Sequence, residues 1–186
     1  MMGYKVYINY FLWRLGIRDV LPAPVINRVR VSENGEPLVT HKGRRMRRDV
    51  ARRLKMAGAA LPDGVSIKVL SGYRSIAEQK RLWKKTPDKR LVANPETGGG
   101  GHQTGGAVDV TLVDSRGRAL DMGGEYLIFD AHTPTRAVKN TNREMLCRAM
   151  TVAGFQNYPR EWWHFSYGDK IWAAYSRAPH AIYGGI

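Results

Sequence analysis

The chain has 186 residues, of which 43% are hydrophobic and 25% charged, values of an ordinary soluble globular protein that exclude a disordered chain or one made of membrane spans. At this length a globule buries roughly 70% of the surface its unfolded chain exposes, so a core forms without covalent staples. Thirty Lys and Arg against sixteen Asp and Glu leave a formal net charge of +14, which suits a polyanionic partner such as nucleic acid, anionic lipid headgroups or an anionic cell-wall polymer.

The first apolar patch, Val6 to Leu12, is interrupted by Asn9 and followed by Trp13-Arg14. It is too short to span a bilayer, and no small-residue cleavage site follows it. No membrane insertion and no export signal are therefore expected. The single Cys147 excludes an internal disulfide or a cysteine metal cage, and a cytoplasmic location follows as the expectation, with release by lysis as the route out. Arg28 to Val39 reads as a hairpin, with Val29 and Val31 alternating with arginines and Asn34-Gly35 as the tight turn; Pro37 puts its second strand at an edge. From Lys42 to Lys55 a helix is expected, since Met46, Val50, Leu54 and Ala57 recur at helical spacing. Arg44, Arg45, Arg47, Arg48, Arg52 and Arg53 then form its solvated face, and without a helix-turn-helix, zinc-finger or aromatic RNA-binding signature nucleic acid is not the expected partner.

Pro62-Asp63-Gly64 turns the chain into a strand from Val65 to Leu70, and a helix is expected from Ser75 to Lys85. Thr86 to Gly106, with four glycines from Gly98 to Gly101, reads as loop. Ala107 to Val113 returns to strand, with Asp109 on the face opposite Val108, Val110 and Leu112. Thr141 to Ala153 reads as a helix opened by a Thr141/Glu144 capping box and closed by Gly154. Glu161 to Tyr167 is the last expected strand. With no repeat and no linker, residues 1–186 form one α+β domain.

Three segments carry chemistry: Ser71-Gly72-Tyr73-Arg74, His102 through Asp109, and Glu161-Trp162-Trp163-His164. Taken singly, His164 reads as a core histidine and Asp109 as a cap carboxylate. Together, His102, Asp109 and His164 are the ligand set of a catalytic zinc site that keeps one position for water, whereas structural zinc takes four protein ligands. His41, His132 and His180 have no comparable surroundings. Glu161 is the expected proton carrier. Three residues before His164 on a regular strand it would face the wrong way, so either it sits where the strand begins or a bulge turns it. Arg74, at the end of a strand, is suited to stabilising an oxyanion, and Gln79 to orienting either Arg74 or the substrate.

These residues, with Asp121-Met122-Gly123, Asn142-Arg143, Gly154-Phe155 and Phe165, resemble in order and spacing the zinc D-Ala-D-Ala dipeptidases, within the D,D-peptidase and hedgehog-like metallopeptidases. The resemblance covers about two thirds of the chain. It implies one Zn2+ per chain held by His102, Asp109 and His164, with Glu161 as general acid and base and Arg74 as transition-state stabiliser. It also implies a small antiparallel sheet flanked by helices with the zinc in a cleft. The substrate is expected to be a small peptide containing D-amino acids, bound by Tyr73, Gln79, Gly100, Leu127 and Trp163. Two positions depart from the family: Gly100 stands in place of a serine and Leu127 in place of a carboxylate. Both resemble a site for a free ammonium, so their loss favours a longer or otherwise altered peptide. A peptidoglycan stem-peptide endopeptidase or carboxypeptidase is the alternative enzyme, and an inactive basic binding module the alternative of another class.

Overall fold

The computed structural model describes residues 20–86, 92–97 and 100–186. The apolar patch from Val6 to Leu12 and the glycines Gly98 and Gly99 lie outside them. The elements run α1 (Ala23–Asn27), β1 (Leu38–His41), β2 (Arg44–Arg47), α2 (Arg48–Ala59), β3 (Ser66–Ser71), α3 (Ile76–Lys85), β4 (Ala107–Val113), α4 (Thr141–Val152), β5 (Gln156–Asn157), β6 (His164–Ser166) and α5 (Lys170–Ser176), with short 3-10 turns at Pro95–Thr97 and Gly101–Thr104.

Two antiparallel sheets result, a β1-β2 hairpin and a four-stranded sheet of order β3-β4-β6-β5. The central strand β4 is buried along its whole length. On one side Val108, Val110 and Leu112 join Ile67 and Val69 of β3, Val50 and Leu54 of α2, and Leu146 and Met150 of α4 in one apolar cluster. The other side of β4 presents Asp109. Among the described residues no helix is long and apolar enough to cross a membrane.

The hairpin is displaced from its expected place. Its turn is Lys42-Gly43, where both residues take positive φ, 49° and 74°, the conformation a two-residue hairpin loop demands. Asn34-Gly35 instead makes a local bend in which Asn34 Oδ1 accepts the Glu36 amide at 3.0 Å. The expected helix over Lys42 to Lys55 is correspondingly a strand and then a helix: Met46 is fully buried from β2, and only from Arg48 onward does the helical spacing of Val50, Leu54 and Ala57 apply. Helix α4 is capped by Asn140, whose side chain accepts the Arg143 amide at 3.0 Å, rather than by Thr141. Helix α3 has the full capping box of Ser75 and Glu78.

One irregularity places the site. The β3-β4 register is regular from Ser66 to Val69 and then slips by one residue, so that Ser71 lies opposite Asp109. Asp109 in turn lies opposite His164 on β6. Three side chains capable of polar chemistry are thereby set in a row across the sheet.

Candidate metal centre

His102 comes from the 3-10 turn Gly101–Thr104, Asp109 from the middle of β4 and His164 from the first position of β6. Their ligand atoms lie within 4.8 Å of one another, and all three residues are buried. Asp109 Oδ1 is 3.2 Å from His102 Nε2 and 3.2 Å from His164 Nδ1. Two ligands held about 2.0–2.1 Å from a tetrahedral zinc stand about 3.3 Å apart, so this spacing fits the ion. The ring environments fit as well. His102 Nδ1 is 2.8 Å from the Gly72 carbonyl, which can only accept, so this nitrogen carries the proton and Nε2 turns its lone pair inward. His164 Nε2 faces Ser166 Oγ at 3.3 Å, leaving Nδ1 for the centre. Asp109 Oδ2 accepts from the Tyr126 hydroxyl at 3.0 Å. Each ligand thus has an outer partner that fixes its orientation.

The electrostatics agree. Burial by itself would raise the Asp109 carboxyl, yet the imidazoles of His102 and His164 outweigh it and hold the group well below the usual carboxylate range. Burial would lower His164, and its hydrogen bond to Asp109 reverses this and raises it. A cluster that stabilises positive charge at its middle is one a divalent cation satisfies.

Glu161 precedes β6 in a tight turn closed by the His164 amide donating to the Glu161 carbonyl at 3.2 Å. Asn157 Nδ2 braces the turn by donating to the carbonyls of Glu161 and His164. That turn brings Glu161 Oε2 to 3.9 Å from His164 Nδ1, so the glutamate sits where the strand begins, and the one-residue bulge belongs to β3. Burial pushes the Glu161 carboxyl up, and the nearby Asp109 charge adds to the effect. Arg74 follows β3, its amide donating to the His102 carbonyl at 3.0 Å. Its guanidinium donates to Gln79 Oε1 at 3.0 Å and to Ser71 Oγ at 3.4 Å. Gln79, only 2% exposed, is in turn fixed by donating to the Ala93 carbonyl at 2.7 Å. Gln79 thus contacts the Arg74 guanidinium directly.

The remaining expected contacts divide. Tyr73 is half-buried beside Arg74, stacked under Arg45 at 5.4 Å and donating to the Ile186 carbonyl. Gly100 opens the 3-10 turn of His102, where a Cβ would press on Ala93 at 3.0 Å. Leu127 is 48% exposed with a positive φ of 63°. Trp163, 1% exposed, packs edge-on against Tyr126 and Phe129, and its side chain hydrogen-bonds the Glu161 carboxylate. Tyr126, Ser166 and Asp169 were not legible in the sequence, because their relation to the cluster is set by tertiary contacts and no short motif marks it.

A family model described as D-Ala-D-Ala dipeptidase matches residues 40–181. The D-alanyl-D-alanine dipeptidase of Escherichia coli (strain K12) is 36% identical over 124 residues, covering 60% of this chain and 64% of its own length. That of Synechocystis sp. is 38% identical over 109 residues, covering 50% and 42%. The chain thus spans less than two thirds of the length of either relative. The crystal structure of the vancomycin-resistance D,D-dipeptidase VanXYg, in complex with a D-Ala-D-Ala phosphinate analogue, is similar in fold, with a TM-score of 0.50 and 23% identity over 83% of this chain and 69% of that one. Since the matched region runs from β1 past α5 and contains the whole His-Asp-His cluster, the chain belongs to the D-Ala-D-Ala dipeptidase family.

Proposed function

We propose that this protein is a zinc-dependent peptidase that cleaves the amide bond of a small D-amino-acid-containing peptide, D-Ala-D-Ala or a relative of it. The observation that carries the reading is the convergence of His102 Nε2, Asp109 Oδ1 and His164 Nδ1, with Glu161 leaning over them at 3.9 Å. These three would hold a zinc ion, which would supply Lewis acidity and acidify water for attack. Glu161, its carboxyl raised by burial, is suited to accept a proton from the attacking water and return it to the departing amine. Arg74, pinned by Gln79 and Ser71, offers a preorganised cation to the oxygen that gains charge. Tyr126, donating to Asp109 Oδ2, holds that carboxylate in place.

Neither Gly100 nor Leu127 offers a polar side chain, so a substrate ammonium near them would lie uncompensated. This favours a peptide whose amino group is acylated, as in a stem peptide, over a free dipeptide. The cations Arg44 and Arg45 on β2 and Lys84 and Lys85 on α3 are exposed on the elements that flank the Gly72–Arg74 segment, which supports an anionic wall polymer as the carrier of such a peptide.

The test is Glu161→Gln. The expected outcome is a fall in kcat of about 10²- to 10⁴-fold with one zinc per chain retained by elemental analysis. Full activity in that variant would refute the assigned mechanism. Paired D,D-, L,D- and L,L-peptides, each free and N-acetylated, read the substrate class.

A further inference from the structure

Asp169 is 1% exposed and caps α5 by accepting the Trp172 amide on Oδ1 at 2.9 Å. Its second oxygen, Oδ2, is fully buried without a hydrogen-bond partner among the described residues. A cap needs only one oxygen, and Ser, Thr or Asn provide it without burying a charge. A buried oxygen that nothing uses destabilises the fold. It is also sterically reserved: a Cβ on Gly101, next to the ligand His102, would collide with it. Burial pushes the Asp169 carboxyl up, while the Trp172 amide, the His164 ring, the nearby Ser166 hydroxyl and the His102 ring pull the other way. Ser166 is itself fully buried, with Oγ 3.3 Å from His164 Nε2.

We propose that Asp169, acting through the Ser166 hydroxyl, is a positioning residue that holds the His164 ring for metal binding. The inference rests on the reading of His164 as a ligand. With Nδ1 directed at the centre, Nε2 must carry the ring proton and donate it to Ser166 Oγ. Ser166 then has its own proton to give to an acceptor, and Asp169 Oδ2 is a buried carboxyl oxygen with no other partner among the described residues. Both hydrogens point the same way, from the imidazole toward the carboxylate. The chain fixes the ring's rotation and its protonated nitrogen together, and it raises the basicity of the nitrogen left for the metal.

The test uses the full chain as Asp169→Asn, Ser166→Ala and the double variant. Asparagine keeps the size of the side chain and its capping oxygen, so the apo form of Asp169→Asn should melt at the wild-type temperature. Zinc affinity, read by competition with a chromophoric chelator, should fall about 10- to 100-fold in each single variant. The absorption spectrum of the cobalt-loaded protein should shift with it. Adding Asp169→Asn to Ser166→Ala should cost nothing further, because the relay is already cut. An unchanged zinc affinity in Asp169→Asn overturns the proposal, as does an equal loss with and without Ser166. Failure of the wild-type chain to bind one zinc is a separate result: it removes the His-Asp-His reading itself, and the relay with it.

Discussion

Arg74 is held at both its backbone and its side-chain end. Its backbone ties to the turn carrying His102, and its guanidinium is held by Gln79 and Ser71. Replacing it with Met should lower kcat by about 10²- to 10³-fold with KM little changed, the signature of an interaction made in the transition state. A large rise in KM instead would mean that Arg74 binds the ground state. Cys147 gives a second residue-scale test. Burial pushes its thiol up to about 11, so at pH 8 it should react slowly with a thiol reagent in the native protein and rapidly once unfolded; fast native labelling would contradict its packing. At this scale the sequence was informative wherever chemistry depends on residue type. The ligand trio and Glu161 stood out because two imidazoles and two carboxylates lay in short segments beside glycines and aromatics. Tyr126 did not, since a phenol seventeen residues beyond Asp109 says nothing of its contacts until the loop between them is folded.

Among the elements, β3, α3, β4 and α4 were legible because their periodicity and punctuation agree. The hairpin was not, for Asn34-Gly35 is the stronger turn signal by composition while Lys42-Gly43 is the pair flanked by strands able to pair. The β3 slip was also invisible, since a bulge is fixed by the partner strand. The long connection from β4 to α4 has its own organiser in Arg143. It is 2% exposed and donates to the carbonyls of Met122, His132, Pro134 and Thr135, with no carboxylate among them. Replacing it with Met should destabilise the fold by about 3 kcal/mol by stranding several buried carbonyls. It should also weaken zinc binding, because the same connection presents Tyr126 to Asp109. Unchanged melting by calorimetry would show that the connection holds itself.

For the whole molecule, the +14 charge predicts behaviour that a small substrate would not reveal. Retention on an anionic wall polymer should fall steeply between low and physiological salt, while turnover of a short soluble peptide changes little. Reversing Arg44, Lys84 and Lys85 to Glu should abolish retention and spare kcat; equal retention of the reversed variant would remove the polymer from the proposal. The pairing of Asp109 with His164 across neighbouring strands has a further consequence, for loading kinetics. Two of the three donors are locked together by the backbone ladder before any ion arrives, so the pocket is ready-made and filling it does not wait on refolding. Swapping zinc for cobalt should therefore go to completion in the native protein, paced only by release of the first ion, with far-UV circular dichroism flat throughout.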